Sequence, residues 1–180
     1  MKFRWSIFLI LAAIFSNELA LAGWFEYNFG FSYSRRNYQD AGYGMSRIFS
    51  TGLSYNFLEV SGVEIGYQDI LERTKVEGQN IQTRDQIYSI NWIQHILPRR
   101  FPVLPYVKLG FGQINKVITD MDTKDRLLID WITVLLAAGV KVKILQRIAI
   151  NVSVASYLEE AKIETYKDNI FFQAGFSIYF

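Results

Sequence analysis

The sequence contains no cysteine, and its 180 residues include only three prolines. Without cysteine there is no disulfide scaffold, no thiolate metal site, no thiol nucleophile and no lipid-modified N-terminal cysteine. Scarce proline and a 51% hydrophobic share argue against a disordered chain. There is also no charge imbalance. Lys and Arg total 19 against 17 Asp and Glu, so the net charge is +2, too balanced for an electrostatic nucleic-acid binder. Past the first segment no long apolar run appears. Leu127 to Leu145 carries Asp130, Lys141 and Lys143, and its charge-free stretch from Trp131 to Val140 falls short of the roughly 20 residues a spanning helix needs. What the chain has in quantity is aromatic rings: 4 Trp, 11 Tyr and 14 Phe. The length suits a single domain.

The first segment reads as an address. Met1-Lys2-Phe3-Arg4 is a short basic start, Ser6 to Phe15 is an apolar run, and Ala20-Leu21-Ala22 offers small residues where a signal peptidase cuts. This predicts a signal peptide over 1–22, export through the Sec pathway and a mature domain over 23–180. A membrane-anchoring helix is the weaker alternative, because Asn17 and Glu18 interrupt the run well before it could span. An exported chain without a helical span can still live in a membrane if it closes a β-barrel.

The mature chain alternates with a period of two. Phe25, Tyr27, Phe29, Phe31 and Tyr33 oppose Glu26, Asn28, Gly30, Ser32 and Ser34. A helix would scatter these around its axis, whereas a strand sorts them onto two faces. The pattern returns at Thr51 to Phe57, Val63 to Tyr67, Tyr88 to Trp92, Val107 to Phe111, Ile132 to Val142, Ile148 to Val154 and Phe172 to Phe180. That makes eight strands. Residues 36–44, 73–84, 115–126 and 160–167 are polar and read as long loops on one rim. The joints near Leu58-Glu59, Pro98 to Pro102 and Gln146-Arg147 read as shorter turns on the other, where both termini belong.

Eight antiparallel strands also describe a soluble ligand-carrying barrel. A soluble barrel needs charge on its outer face. Here the polar positions are mostly Gly, Ser, Asn and Gln, small enough for a narrow interior, while the apolar face carries aromatics too bulky to fit inside. The apolar face therefore belongs against lipid, with Trp24, Phe57, Tyr67, Tyr88, Trp92 and Phe180 near strand ends as interfacial girdles. The expected fold is all-β, an eight-stranded antiparallel up-and-down transmembrane β-barrel.

On these features the chain resembles the small eight-stranded outer-membrane barrels of Gram-negative bacteria, of the OmpA-barrel and OmpX type. The most specific stretch is the last, where Phe172, Phe176, Ile178 and Phe180 alternate to a terminal aromatic. Pro105 to Gly112 is similar to a strand common in these barrels. The resemblance implies a location in the outer membrane, contact with its lipid and lipopolysaccharide, a monomer, and a C-terminal strand read by the barrel assembly machinery. It implies location better than function, since the class holds adhesins, anchors and proteins without an assigned role.

Few residues suggest chemistry. His95 is the only histidine and ends the fourth strand; Gln94 and Ile96 beside it offer no nucleophile. It reads as a rim histidine facing water or headgroups, although a triad whose members meet only in space stays open. Asp120, Asp122 and Asp125 lack the glycine and the final glutamate of a calcium loop and read as a solvated loop tip. Asn151-Val152-Ser153 matches a glycosylation triplet but lies within a strand. Gly110, Gly112, Gly139 and Gly175 relieve crowding in a narrow barrel. No catalytic residue, cofactor or metal is expected.

One constellation carries physical content. Glu26, Glu64, Lys108 and Lys141 share the polar face in the half nearer the termini. Two acids and two bases inside a narrow tube are costly unless paired. They are expected to form a lumen cluster that helps block conduction. Arg35, Arg36 and Arg47 with Tyr38 and Tyr43 make the first hairpin basic and aromatic at its outer end, with lipopolysaccharide phosphates or a host surface as candidate ligands. The expected function is a structural or surface-interaction role through four outer loops, with the lumen filled and no general porin activity. A lipid-modifying barrel enzyme and a narrow channel are the alternatives.

Overall fold

Large apolar residues alternating with small polar ones can serve a lipid face and a packed interior together only as β-strands. The computed structural model forms eight: β1 (Phe25–Asn37), β2 (Tyr43–Tyr55), β3 (Ser61–Val76), β4 (Gln79–His95), β5 (Val103–Asp120), β6 (Arg126–Leu145), β7 (Ile148–Glu159) and β8 (Ile170–Tyr179). The structure describes residues 25–37, 42–76, 79–159 and 170–180. The leader expected over 1–22, Trp24 and Tyr38 lie outside the described residues. Each strand pairs antiparallel with its neighbour in sequence, and β8 closes on β1. This is the closed up-and-down barrel that the alternation predicts. No described helix is long and apolar enough to cross a membrane.

The strands are staggered as closure requires. The register row that starts at Phe25, at the terminal end of β1, runs through Tyr55, Val63, Trp92, Leu109, Leu136 and Ser156. It reaches Ile170 at the opposite end of β8. Both ends of the chain's barrel meet at one rim, where the Phe180 amide donates to the Phe25 carbonyl. We call this the near rim and the opposite one the far rim.

Two expectations about the connections change. Residues 73–84 and 115–126, read as loops because they are polar, are mostly strand: β3 and β4 pair up to Val76↔Gln79, and β5 pairs with β6 up to Thr119↔Arg126. β5 and β6 reach 18 and 20 residues. Polarity there marks strands that have left the apolar zone, and it does not mark the end of pairing. The β5–β6 turn is held by the Asp120 carboxylate, which accepts the amides of Asp122 at 2.9 Å and Thr123 at 3.3 Å. Those two donors hold the Asp120 carboxyl below the usual aspartate range. Lys124 adopts a left-handed φ of 66° to complete the turn.

The apolar face points outward. Ile65, Ile90, Phe111 and Phe172 are each more than 60% exposed. Among the described residues, outward positions from Phe25 to Tyr33, Phe49 to Tyr55, Val63 to Tyr67, Tyr88 to Trp92 and Val103 to Phe111 carry no charge. The same holds for Ile132 to Val142, Ile148 to Val154 and Ile170 to Phe180. Aromatic pairs brace this face, with Phe57 on Trp92 at 5.2 Å and Tyr67 on Tyr88 at 5.1 Å. Glycine is needed where walls approach: a Cβ on Gly175 would lie 1.8 Å from the Phe29 carbonyl oxygen, and one on Gly110 2.1 Å from Asn91 Oδ1.

Candidate functional site

The lumen has two storeys of opposite character. In the near storey, alternation on β1, β3, β5 and β6 turns Glu26, Glu64, Lys108 and Lys141 inward, and the structure brings them together as two pairs. Lys141 Nζ contacts Glu26 Oε1, with both residues at most 1% exposed. Lys108 Nζ donates to both Glu64 oxygens, at 2.7 and 2.8 Å. Charges this deep persist only when their hydrogen-bonding capacity is used.

Glu64 satisfies that condition fully. Its carboxylate also accepts Asn28 Nδ2 at 2.8 Å, Ser54 Oγ at 3.1 Å and Asn91 Nδ2 at 3.3 Å. The net continues as Ser177 Oγ donates to Asn28 Oδ1 at 2.7 Å and Asn151 Nδ2 donates to Ser177 at 3.2 Å. Asn151 is therefore a lumen side chain, in keeping with its place inside a strand. The two ion pairs flank one ring, with Lys141 Nζ 5.0 Å and Lys108 Nζ 5.6 Å from the centre of Tyr106.

Two members of this storey were not anticipated. Arg99, in the turn between β4 and β5, reaches back to Glu26 at 3.5 Å and lies over the Tyr179 ring at 5.3 Å. Its carbonyl accepts Lys143 Nζ, which fastens the turn across the near mouth. Nothing in the spacing of Pro98 to Pro102 marks an inward arginine. His95 is the second. It is 2% exposed, faces the Tyr106 ring at 6.0 Å, and neither ring nitrogen has a hydrogen-bond partner. The expectation of a rim histidine facing water or headgroups is thus corrected: as an odd-numbered residue of β4 it shares the inward face of Ser89 and Asn91. No serine or carboxylate lies within hydrogen-bond distance of the imidazole among the described residues.

The far storey is apolar. Ile48, Ile70, Ile87, Ile114, Leu135 and Tyr157 pack into one buried cluster, with Trp131, Ala137 and Phe171 against it. The Tyr157 hydroxyl donates to Gln68 Oε1 at its lower edge. A space of about 60 Å³ lies between the storeys, lined by Glu64, Lys108 and Asn91 on one side and Leu135, Ala137 and Tyr157 on the other. That is room for a few waters. Within the plug the remaining space is about 10 Å³, at the lower limit for one water. Above it Lys116 Nζ meets Asp85 at 3.6 Å and the Trp131 ring at 5.1 Å. The Gly, Ser, Asn and Gln positions predict a polar interior; it holds for the near storey and again at Lys116 and Asp85, with the apolar cluster between them as the exception.

Beyond the apolar band the outward face of β1 to β4 turns basic. Arg35 and Arg47 stand on β1 and β2, where Tyr33 pairs with Arg47. Met45 pairs with Arg73 and Arg47 with Leu71, which pairs with Arg84. Arg35 lies over Tyr43 at 5.6 Å, and Arg84 grips Asp69 through two bonds of 2.8 and 3.0 Å. Arg36 pairs with Gly44. Arg73 and Arg84 escape a sequence reading because they fall in segments taken as loops. Asp122 and Asp125 sit in the β5–β6 turn, and no described group of residues is arranged to hold a metal. Phe172, Phe176 and Phe180 are exposed on the outward face of the closing strand, with Ile178 between them in the same alternation.

A family model described as outer membrane protein beta-barrel domain matches residues 6–180. Among solved structures, Neisserial surface protein A is similar with a TM-score of 0.60 at 14% identity, over 88% of this chain and 99% of that one. The N-terminal β-barrel domain of Pseudomonas aeruginosa OprF gives 0.59 at 12%, over 87% and 96%. The attachment invasion locus protein Ail of Yersinia pestis gives 0.51 at 14%, over 87% and 96%. A second structure of Ail, in complex with the heparin analogue sucrose octasulfate, gives 0.50 at 14%, over 86% and 95%. Comparison with curated protein sequences gives no match.

Proposed function

The chain belongs to the outer membrane protein beta-barrel domain family, and from that premise we propose that it is a non-conducting, non-enzymatic barrel acting through its outer surface. In this reading the near rim faces the periplasm and the far rim the exterior, the arrangement in which short turns lie inside. The observation that carries it is the pairing of an uncharged outward band with a lumen closed twice, by buried ion pairs and by a packed, mostly isoleucine plug. An eight-stranded tube has an interior only wide enough for side chains, and here side chains fill it. What remains available to a partner is the outer wall and the hairpins above it. The sulfated ligand in the Ail structure makes a polyanion the first ligand class to test there.

Cell fractionation with heat-modifiability on a gel tests the location. A heat-sensitive band in the outer-membrane fraction is expected, and a soluble periplasmic protein would overturn it. Planar bilayers test closure: the reconstituted chain is expected to stay silent, and discrete current steps from the unaltered protein would sink the non-conducting reading.

A further inference from the structure

The isoleucine plug is one-sided. Its members come from β2 to β7, and β8 adds Phe171 against the flank. At these levels β1 turns Gly30, Ser32 and Ser34 inward, opposite Ser50, Ile48 and Ser46. Ser32 is half-buried, and Ser34 on the same inward register is exposed. Where the other strands pack isoleucine, β1 leaves a strip of small residues.

The wall is incomplete at the same place. β1 and β8 pair from Glu26↔Tyr179 to Phe31↔Ala174 and stop, although β1 runs on to Asn37 and β8 begins at Ile170. The same register would add rungs from Ser32↔Gln173 to Arg35↔Ile170, and none of these forms between the described residues. The flanking pairs continue, β1–β2 to Asn37↔Tyr43 and β7–β8 to Ser156↔Ile170. Ser32 lies about 18 Å along the barrel axis from Phe25, at roughly 3.3 Å per residue on a strand tilted about 40°. The apolar band is about 25 Å tall, so the open seam starts inside it. Backbone amides and carbonyls left unpaired at that depth need a hydrogen-bonding partner, and hydrocarbon offers none.

The lumen reaches the seam at Gln173. Its Oε1 accepts Ser50 Oγ at 3.2 Å, and a Cβ on Gly30 would lie 3.3 Å from that oxygen, so the side chain lies across the seam. Its Nε2 has no partner among the described residues, and neither has Gln68 Nε2. Both glutamines line the space of about 60 Å³ between the storeys, together with Ser50. Idle donors, small residues and an unpaired seam thus make one continuous line from the far mouth to that chamber, past the plug. Resting on the outer-membrane reading above for its depth, we propose that the inner side of the β1–β8 seam is a hydrated side path. It admits water and small neutral solutes to the chamber while the plug stays in place. Below the chamber the Glu64–Lys108 and Glu26–Lys141 pairs end the path, so it carries no current.

The chain has no cysteine, so a single introduced thiol reports on the chamber without background. Ala155 lines the chamber and is 7% exposed. The full chain carrying A155C is refolded in uncharged detergent micelles. It is treated with methyl methanethiosulfonate, small and neutral, or with the larger, charged trimethylammonium-ethyl methanethiosulfonate, and labelling is followed by mass spectrometry. The neutral reagent is expected to label the folded protein, and the charged one only the protein unfolded in urea. In S32F/A155C a ring fills the side path. Neutral labelling should then slow roughly tenfold or more, because entry waits on local opening of the wall. No neutral labelling of the folded protein, or an unchanged rate in S32F/A155C, overturns the proposal. Equal labelling by both reagents overturns it in favour of an open lumen. If S32F/A155C gives no heat-modifiable band, hydrogen exchange on the unaltered protein decides. Seam-facing amides of Ser32–Arg35 and Ile170–Gln173 should exchange at least about tenfold faster than those of Glu26–Phe31, and equal protection along the whole seam overturns the side path. Failure of the outer-membrane reading would instead appear in the fractionation, whatever the labelling shows.

Discussion

The two storeys of the lumen are built from the same strands, yet they close the tube by different physics. β3 carries Glu64 in the near storey and Ile70 in the far one, β4 carries Asn91 and then Ile87, and β5 carries Lys108 and then Ile114. In the near storey the two carboxylates are held by named partners, and an ion meets fixed charges of both signs. In the far storey the packed side chains are mostly apolar, and the gap among them is too small for more than about one water. A charged interior costs desolvation and recovers it through pairing. An apolar interior gains from packing and fails when atoms are removed. The difference teaches that removing a partner is the damaging change in the near storey, and removing volume is the damaging change in the far one.

The sharpest way to break this comparison is to strand a charge. Lys141→Met leaves Glu26 buried, with Arg99 at 3.5 Å as its nearest remaining cation. Losing one partner of a buried pair costs about 3–5 kcal/mol. The urea midpoint of the folded, heat-modifiable band in vesicles is expected to fall accordingly, and to recover largely in E26Q/K141M. Lys108→Met should cost less, because Glu64 keeps donors from Asn28, Ser54 and Asn91. If K108M proves as damaging as K141M, the hydrogen-bond net does not share the load that the geometry assigns to it.

The far storey is probed by removing volume. Ile87→Ala and Ile114→Ala each open a cavity, at about 2–3 kcal/mol near the lower end for such truncations, read from the same urea curves. Closure is read separately. I70S/I114S makes the plug smaller and wettable, and E26Q/K141M removes one ion pair. Each should stay silent in planar bilayers because the other storey still closes the tube, whereas the four substitutions combined should give current steps. Current steps from either double variant alone would show that the storey it alters is the one that holds the barrel shut.

The two storeys differ in how far they can be read from the sequence. A charge is legible in a strand, because an acid or base on the face opposite Phe and Ile must point inward; Glu26 and Lys108 announce themselves in this way. An inward isoleucine does not. Ile70 and Ile87 look the same whether they face lipid or lumen, and Trp131 and Leu135 only blur the alternation of β6. The far strands were hidden for a related reason. Arg73, Arg84 and Lys116 are polar because they lie beyond the apolar band, and polarity without an apolar partner face reads as loop. His95 shows that parity outranks polarity: its number in β4 places it with Asn91, inside, although its residue type suits a rim. Strand number, topology and the outward face are therefore legible in the sequence, and the apolar half of the interior is not.

The smallest expected effect separates capping from closing. Arg99 sits at the near mouth, with its side chain 17% exposed and its bond to Glu26 at 3.5 Å, long for a charge-assisted contact. Arg99→Gln keeps a hydrogen-bond donor and leaves Lys141 on Glu26. A partly solvated, long ion pair contributes at most about 1 kcal/mol, so the urea midpoint should move only slightly. Current should not change at all, since neither the Lys141–Glu26 pair nor the isoleucine plug is touched. A large fall in the midpoint would make the turn across the mouth part of the near storey's framework. Current steps in R99Q alone would mean that the mouth, and neither storey behind it, holds the barrel shut.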